Sequence, residues 1–250
     1  MNSRASIGQF DPADIGGIAA KLAESFDHLC ITSHQYQQVQ PAAFRVLDLR
    51  WYERESTTLL GFGFRHMADV QQDTALPSGF VPGFLRLLKS ADNATQVLLN
   101  HAVLQQRMRM RHFFRNWSRD RGRYSVTLST EFSDGSFCVT STAPQLYEVE
   151  AGFTEQYLPS TLSLQRVVLR HKQLLMRQQQ DHPELVLLRA VSTDDLLASL
   201  NRAQGRRAAA RRARGGFTEA ELWRLGHSPA LARQLVAEMR RQRDLAAVCT

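Results

Sequence analysis

The chain has 250 residues, of which 43% are hydrophobic and 22% charged, and its formal net charge is +7. This apolar fraction excludes a largely disordered chain and predicts one large domain, or one domain with a small appendage. No stretch reaches the roughly 18 consecutive apolar residues of a membrane-spanning helix, the first residues lack the apolar core of a signal peptide, and the cysteines are too widely spaced for a disulfide framework. We therefore expect a soluble, cytoplasmic protein.

The first predicted element is an amphipathic helix. Asp11 is a suitable N-cap, and Pro12 fits the first helical position because a proline there loses no hydrogen bond. Apolar residues then recur at three- and four-residue spacing, which places them on one face that we expect to cover a sheet. This face consists of Ile15, Ile18, Leu22, Phe26 and Leu29.

Pairs of β-like runs follow this helix. Alternation at Leu47, Leu49 and Trp51 predicts a strand, and residues 53–57 form a polar break before a second run at residues 58–67. We interpret these two runs as a hairpin.

Two further hairpins are predicted downstream. The runs "FLRLLKS" and "TQVLLNH" flank Asp92-Asn93, which favours a turn. The runs on either side of Asp134-Gly135 alternate in the manner of strands, and glycine adopts positive φ without steric cost. The alternation predicts a sheet with one face buried and the other wet or functional.

The later part of the chain has helical periodicity. A helix is predicted from Ser160 to about Gln180, and "ELVLLRAV" after it is either a buried strand or the start of a helix. Ser192 caps a brief helix that we expect to end near Asn201. A capping box at residues 218–221 and the Ser-Pro pair at 228–229 begin two short helices.

These elements predict an α+β fold with a mostly antiparallel, hairpin-rich sheet of about five or six strands. Helices cover the sheet, and a helical hairpin follows at the C-terminus. We predict an α+β domain over residues 1–200, a basic Arg/Ala linker over 201–216 and a small helical appendage over 217–250. The appendage is too small to bury a core alone, so we expect it to dock on the main domain or on a partner.

The charge is distributed unevenly along the chain. Residues 1–200 hold 20 basic and 20 acidic side chains, whereas residues 201–250 hold 11 arginines and four acids. The run "NRAQGRRAAARRARGG" at residues 201–216 contains six of these arginines. It is either an anion-binding segment or a solvated hinge. The candidate anion-binding residues are Arg206, Arg207, Arg211, Arg212 and Arg214.

A second basic segment, "RMRMRHFFRNWSRDRGR", occupies residues 107–123. Arginine pairs with phosphates and aromatic rings stack on bases, so this composition suits single-stranded nucleic acid. Aromatic residues at this spacing usually face a core, so the pattern favours a helix with Met110, Phe113, Phe114 and Trp117 on its buried side and the arginines outside. The candidate binding residues here are Arg107, Arg109, Arg111, Arg115 and Trp117.

No residue pattern indicates a metal, a cofactor or a catalytic reaction. Gly61-Phe62-Gly63 lacks the third glycine of a dinucleotide-binding turn, because His66 occupies that place. His28, Cys30 and His34 lack the second pair of ligands that zinc requires. We therefore predict no metal site and no cofactor.

The composition favours a non-enzymatic binding or adaptor protein whose basic C-terminal part contacts nucleic acid or an acidic protein surface. A protein partner is expected in addition. One alternative is an enzyme with a small-molecule pocket between sheet and helices, using side chains such as Glu131, His66 or His171. The other is a structural or chaperone-like subunit.

Overall fold

The computed structural model describes residues 14–72, 81–103 and 124–248. Together these residues form an α+β fold, as predicted. The elements of this part of the chain are, in order, α1 (Ile15–Leu29), β1 (Tyr36–Gln38), a 3₁₀ turn (Pro41–Ala43), α2 (Leu49–Gly61), β2 (Arg65–Gln72), β3 (Leu85–Lys89), β4 (Thr95–His101), β5 (Tyr124–Glu131), β6 (Phe137–Ser141), β7 (Phe153–Tyr157), α3 (Leu164–Asp181), α4 (Thr193–Arg214), α5 (Glu219–Arg224) and α6 (Pro229–Val248).

The strands form one sheet in which spatial order follows chain order, from β1 to β7. Neighbouring strands are antiparallel except β6 and β7, which are parallel. Seven strands therefore replace the expected five or six. Both downstream hairpins are confirmed, with positive φ at Asn93 between β3 and β4 and at Gly135 between β5 and β6.

Helices cover both faces of the sheet. On one face, α2 and α3 pack on the inward side chains of β3, β4 and β5, including Leu88, Val97 and Leu128. On the other face, α4 places its apolar residues against β2, β3 and β6. The expectation of one wet or functional face is therefore wrong, because a helix longer than predicted lies across it.

The strand predicted at residues 47–51 is wrong: α2 begins at Leu49. The carboxylate of Asp48 accepts a hydrogen bond from the amide of Trp51 and caps the helix. Trp51, Tyr52 and Leu59 are buried on one side of α2 at helical spacing. The short alternation that predicted a strand is compatible with this helical stripe, and capping and burial decide between the two.

The first helix is confirmed as α1, but its role differs from the expected one. Asp14 caps it, and the predicted Asp11 and Pro12 lie outside the described residues. Its buried face packs against α5 and α6 instead of the sheet, with Phe26 meeting Phe217 at 5.2 Å between ring centroids. The two predicted C-terminal helices are present and dock on α1.

The predicted end of the helix near Asn201 is also wrong. The capping box at Ser192 and Asp195 begins α4, and the helix continues to Arg214, where Gly215 takes the left-handed conformation. It therefore crosses the boundary expected at residue 200 and includes most of the predicted linker. Gly205 lies inside this helix where the helix closely approaches the backbone of Thr32. A Cβ atom added there would lie 3.3 Å from the Thr32 carbonyl oxygen, so a glycine suits the position.

A buried histidine lies between α3 and the sheet. The two ring nitrogens of His171 are each 3.1 Å from a threonine hydroxyl, Thr130 on β5 and Thr140 on β6. Only 1% of its surface is exposed, and burial lowers the pKa of His171 to about 4. The imidazole is therefore neutral in the folded protein near neutral pH.

We predict that His171 makes the protein less stable in mild acid. The unfolded chain takes up a proton at this residue near pH 6.5, whereas the folded protein does so only near pH 4. Its contribution to the free energy of unfolding therefore falls by about 3 kcal/mol as pH decreases through this interval. Denaturant titrations at several pH values should show a smaller fall for His171→Leu. His182→Gln, at an exposed histidine, should keep the full fall, and equal falls in all three proteins would contradict the prediction.

Candidate functional site

The basic run lies in the C-terminal half of α4, where most of its arginines meet carboxylates of the same chain. Glu131 at the end of β5 is 5% exposed and accepts two hydrogen bonds from Arg202, at 2.6 and 2.8 Å. Ser199 donates a third, at 2.6 Å. The bond to Glu131 raises the pKa of Arg202 above its usual value. The Glu131 carboxylate thus accepts three hydrogen bonds from side chains of α4.

A second buried carboxylate binds two arginines one helical turn apart. Glu150, in the connection between β6 and β7, is 3.0 Å from Arg207 and 2.8 Å from Arg211. Arg207 also pairs with Glu155 on β7, and its guanidinium lies 4.0 Å from the ring centroid of Phe153. These contacts desolvate both guanidinium groups and join α4 to the sheet.

The last turn of α4 contacts carboxylates and backbone carbonyls. Arg214 pairs with the buried Glu221 of α5 at 2.9 Å, and Arg212 donates to the carbonyl of Cys30 at the end of α1. Arg206 is 3.3 Å from the carbonyl of Asp134. Arginines near a helix C-terminus also interact favourably with the helix dipole.

The five predicted anion-binding residues of this run therefore all have partners within the chain. Arg207, Arg211 and Arg214 bind carboxylates, and Arg206 and Arg212 bind backbone carbonyls. Sequence reasoning missed the partners because Glu131, Glu150 and Glu155 are distant from the run in the chain. Their irregular spacing carries no signal that they converge on one helix.

The second basic segment carries a large charge by sequence. Residues 107–123 contain seven arginines and one aspartate, a net charge of +6. The remaining 233 residues hold 24 basic and 23 acidic side chains, a net charge of +1. By sequence, residues 107–123 therefore carry +6, residues 201–250 carry +7, and the rest of the chain carries −6. Its candidate residues Arg107, Arg109, Arg111, Arg115 and Trp117 lie outside the described residues.

The residues considered for an enzyme are not brought together. Glu131 contacts α4 on one face of the sheet, whereas His171 projects from α3 onto the opposite face, so the sheet separates them. His66 lies 3.4 Å from Asp69 on the same strand. Within residues 14–72, 81–103 and 124–248, no three His, Cys, Asp or Glu side chains are grouped in a way that could hold a metal ion.

A cavity of about 410 Å³ lies between α2, β5 and the beginning of α3. Its wall combines aromatic, apolar, hydroxyl and charged side chains from segments that are far apart in the chain. The lining residues are Asp48, Trp51, Arg54, Glu55, Tyr124, Val126, Thr142, Ser160, Thr161, Leu162, Leu164 and Val167. The volume of this cavity lies in the range of small-ligand sites, and its wall is about as polar as it is apolar.

The polar groups of this cavity are held by hydrogen bonds. Tyr124 donates to the Asp48 carboxylate at 3.1 Å, and the Trp51 amide donates to the same carboxylate at 3.0 Å. The hydrogen bond from the Trp51 amide, with help from Tyr124, lowers the pKa of Asp48 and keeps it ionised. Arg54 donates two hydrogen bonds to Glu55, at 3.0 and 2.8 Å.

No family model matches the chain, and comparisons with curated proteins and with solved structures found no similar protein. Among the described residues, no helix combines the length and apolar character needed to cross a membrane.

We predict that Glu150→Gln strongly destabilises the protein. The change leaves Arg207 and Arg211 without their shared carboxylate, and breaking a buried ion pair costs about 3 kcal/mol or more. Denaturant unfolding should show this loss. Glu184→Gln removes an exposed carboxylate, and its unfolding curve should superimpose on that of the unaltered protein. Equal stability of the two variants would contradict the structural role of Glu150.

Proposed function

We propose that the protein is a non-enzymatic binding protein for single-stranded nucleic acid and that residues 107–123 supply the binding charge. The observation that carries this proposal is the internal pairing of the α4 arginines. It engages four α4 arginines with carboxylates of the same chain, whereas residues 107–123 carry a net charge of +6 by sequence. We therefore assign anion binding to the second basic segment, residues 107–123, instead of the C-terminal run, residues 201–216.

The composition of this segment favours nucleic acid over other polyanions. Arginine forms bidentate hydrogen bonds with phosphate. The same residues include Phe113, Phe114 and Trp117, whose rings provide stacking surfaces for unpaired bases. A single strand presents both phosphates and unpaired bases, so it uses both kinds of side chain.

The α4 arginines are poor competitors for the same ligand. A phosphate that approaches Arg207 or Arg211 would have to displace Glu150, whose side chain is 1% exposed. Displacement would leave a buried carboxylate without a counter-charge, which is energetically costly. Arg207 and Arg211 therefore contribute to the stability of the fold.

We predict that binding of a single-stranded oligonucleotide depends steeply on salt. If about five phosphates are neutralised, log K should fall with log salt concentration with a slope of about −3.5. Replacing Arg107, Arg109, Arg111 and Arg115 by Gln should flatten this slope by about 3 units. Fluorescence anisotropy of a labelled strand at several salt concentrations measures both values.

The matched control removes four exposed arginines elsewhere. A variant with Gln at Arg166, Arg177, Arg233 and Arg240 has the same net charge as the first variant. It should keep the slope of the unaltered protein. Equal slopes in the two variants, or a flat salt response of the unaltered protein, would overturn the assignment to residues 107–123.

Trp117→Ala distinguishes a nucleic acid from an acidic protein surface. Loss of one stacking ring should weaken oligonucleotide binding about tenfold, because base–aromatic stacking contributes about 1–3 kcal/mol. Poly-glutamate carries charge without bases, so its binding should be unchanged. A stronger effect on poly-glutamate, or none on the oligonucleotide, would favour the acidic protein partner instead.

A further inference from the structure

We infer that the cavity between α2, β5 and α3 binds one unstacked nucleobase. This inference rests on the proposed function for its choice of ligand class. The cavity of about 410 Å³ has room for a heteroaromatic ring and its sugar. Val126, Leu162 and Val167 supply apolar wall.

The aromatic part of the wall is rigid. The rings of Trp51 and Tyr124 are 5.0 Å apart between centroids, and His101 stacks on Tyr124 at 4.4 Å. The amide of Asp48 donates to Nδ1 of His101 at 2.9 Å, which fixes the imidazole. These contacts order the aromatic part of the cavity wall before a ligand binds, so little entropy is lost there on binding.

The charges of the cavity favour a base over a phosphate. Asp48 and Glu55 supply two carboxylates, whereas Arg54 supplies one guanidinium that is already paired with Glu55. A phosphate would be repelled by the carboxylates. A neutral ring with N–H groups meets carboxylate and hydroxyl oxygens that accept hydrogen bonds.

The same acceptors predict a preference among bases. An exocyclic amino group donates to a carboxylate, as cytosine does in duplex recognition by Glu or Asp. Cytosine, adenine and guanine carry such a group, and uracil does not. We therefore expect cytidine, adenosine and guanosine to bind more tightly than uridine.

The cavity adjoins the second basic segment in the chain. Tyr124 lines the cavity and follows Arg123 directly in the sequence. This contiguity connects the cavity with the segment to which the proposed function assigns the phosphates. Phosphates and bases would then use separate groups of side chains.

The test uses uncharged nucleosides, which need no phosphate contact. Isothermal titration of the full chain should show saturable binding of cytidine, with uridine at least tenfold weaker. Ribose 5-phosphate should neither bind nor compete with cytidine. Absence of saturable cytidine binding, equal affinity for uridine, or competition by ribose 5-phosphate would overturn the inference.

Two variants locate the binding in this cavity. Thr161→Trp places a large ring at the exposed mouth and should abolish cytidine binding, whereas Thr57→Trp, at an exposed position of α2 outside the cavity, should not change it. Glu55→Gln should weaken cytidine at least tenfold, and Glu184→Gln should have no effect. Melting curves establish that each variant is folded. Cytidine binding that survives Thr161→Trp in a folded protein overturns the assignment.

Different experimental results would contradict the proposed function and the base site. The variant of Arg107, Arg109, Arg111 and Arg115 should flatten the salt slope of oligonucleotide binding and keep cytidine affinity. Thr161→Trp should abolish cytidine binding and weaken the oligonucleotide by the loss of one base contact, with the salt slope unchanged. Cytidine binding without oligonucleotide binding would overturn only the proposed function. Salt-dependent oligonucleotide binding without cytidine binding would overturn only the base site.

Discussion

The ion pairs of Glu150 with Arg207 and Arg211 fix α4 on the second face of the sheet. They join the connection before β7 to two consecutive turns of α4. Helix α4 also contacts the segment after α1; for example, Gln204 donates a hydrogen bond to the carbonyl of Ile31. The position of α1, α5 and α6 therefore depends on the position of α4. A buried carboxylate with two guanidinium groups is stable only when all three are in place, which makes this arrangement specific as well as strong.

The same ion pairs give the arginines of α4 a structural role. Glu131, Glu150 and Glu155 pair with α4 arginines, so part of the charge asymmetry along the chain is balanced in space. Residues 107–123 carry a net charge of +6 by sequence. In the function that we propose, this segment binds phosphates and the cavity lined by Tyr124 binds a base.

Local signals in the sequence were reliable where one short segment decides the conformation. Asp134-Gly135 predicted its hairpin because only a positive φ closes that turn. The capping boxes at Ser192 and Thr218 predicted two helix starts because side chain and backbone satisfy each other within four residues. The prediction failed at Leu49–Trp51, where three alternating residues fit a strand or a helix equally and only burial against the sheet favours the helix.

The sequence by itself determined the α+β class, the later hairpins, the C-terminal helices and the composition of both basic segments, because these follow from periodicity, turn chemistry and residue counts. Only the tertiary structure decided that the Arg/Ala run is part of a packed helix. Like charges four residues apart disfavour that helix in isolation, and carboxylates from distant strands reverse the balance. The cavity was equally invisible in the sequence, since Asp48, Tyr124 and Thr161 become neighbours only when α2, β5 and the beginning of α3 meet.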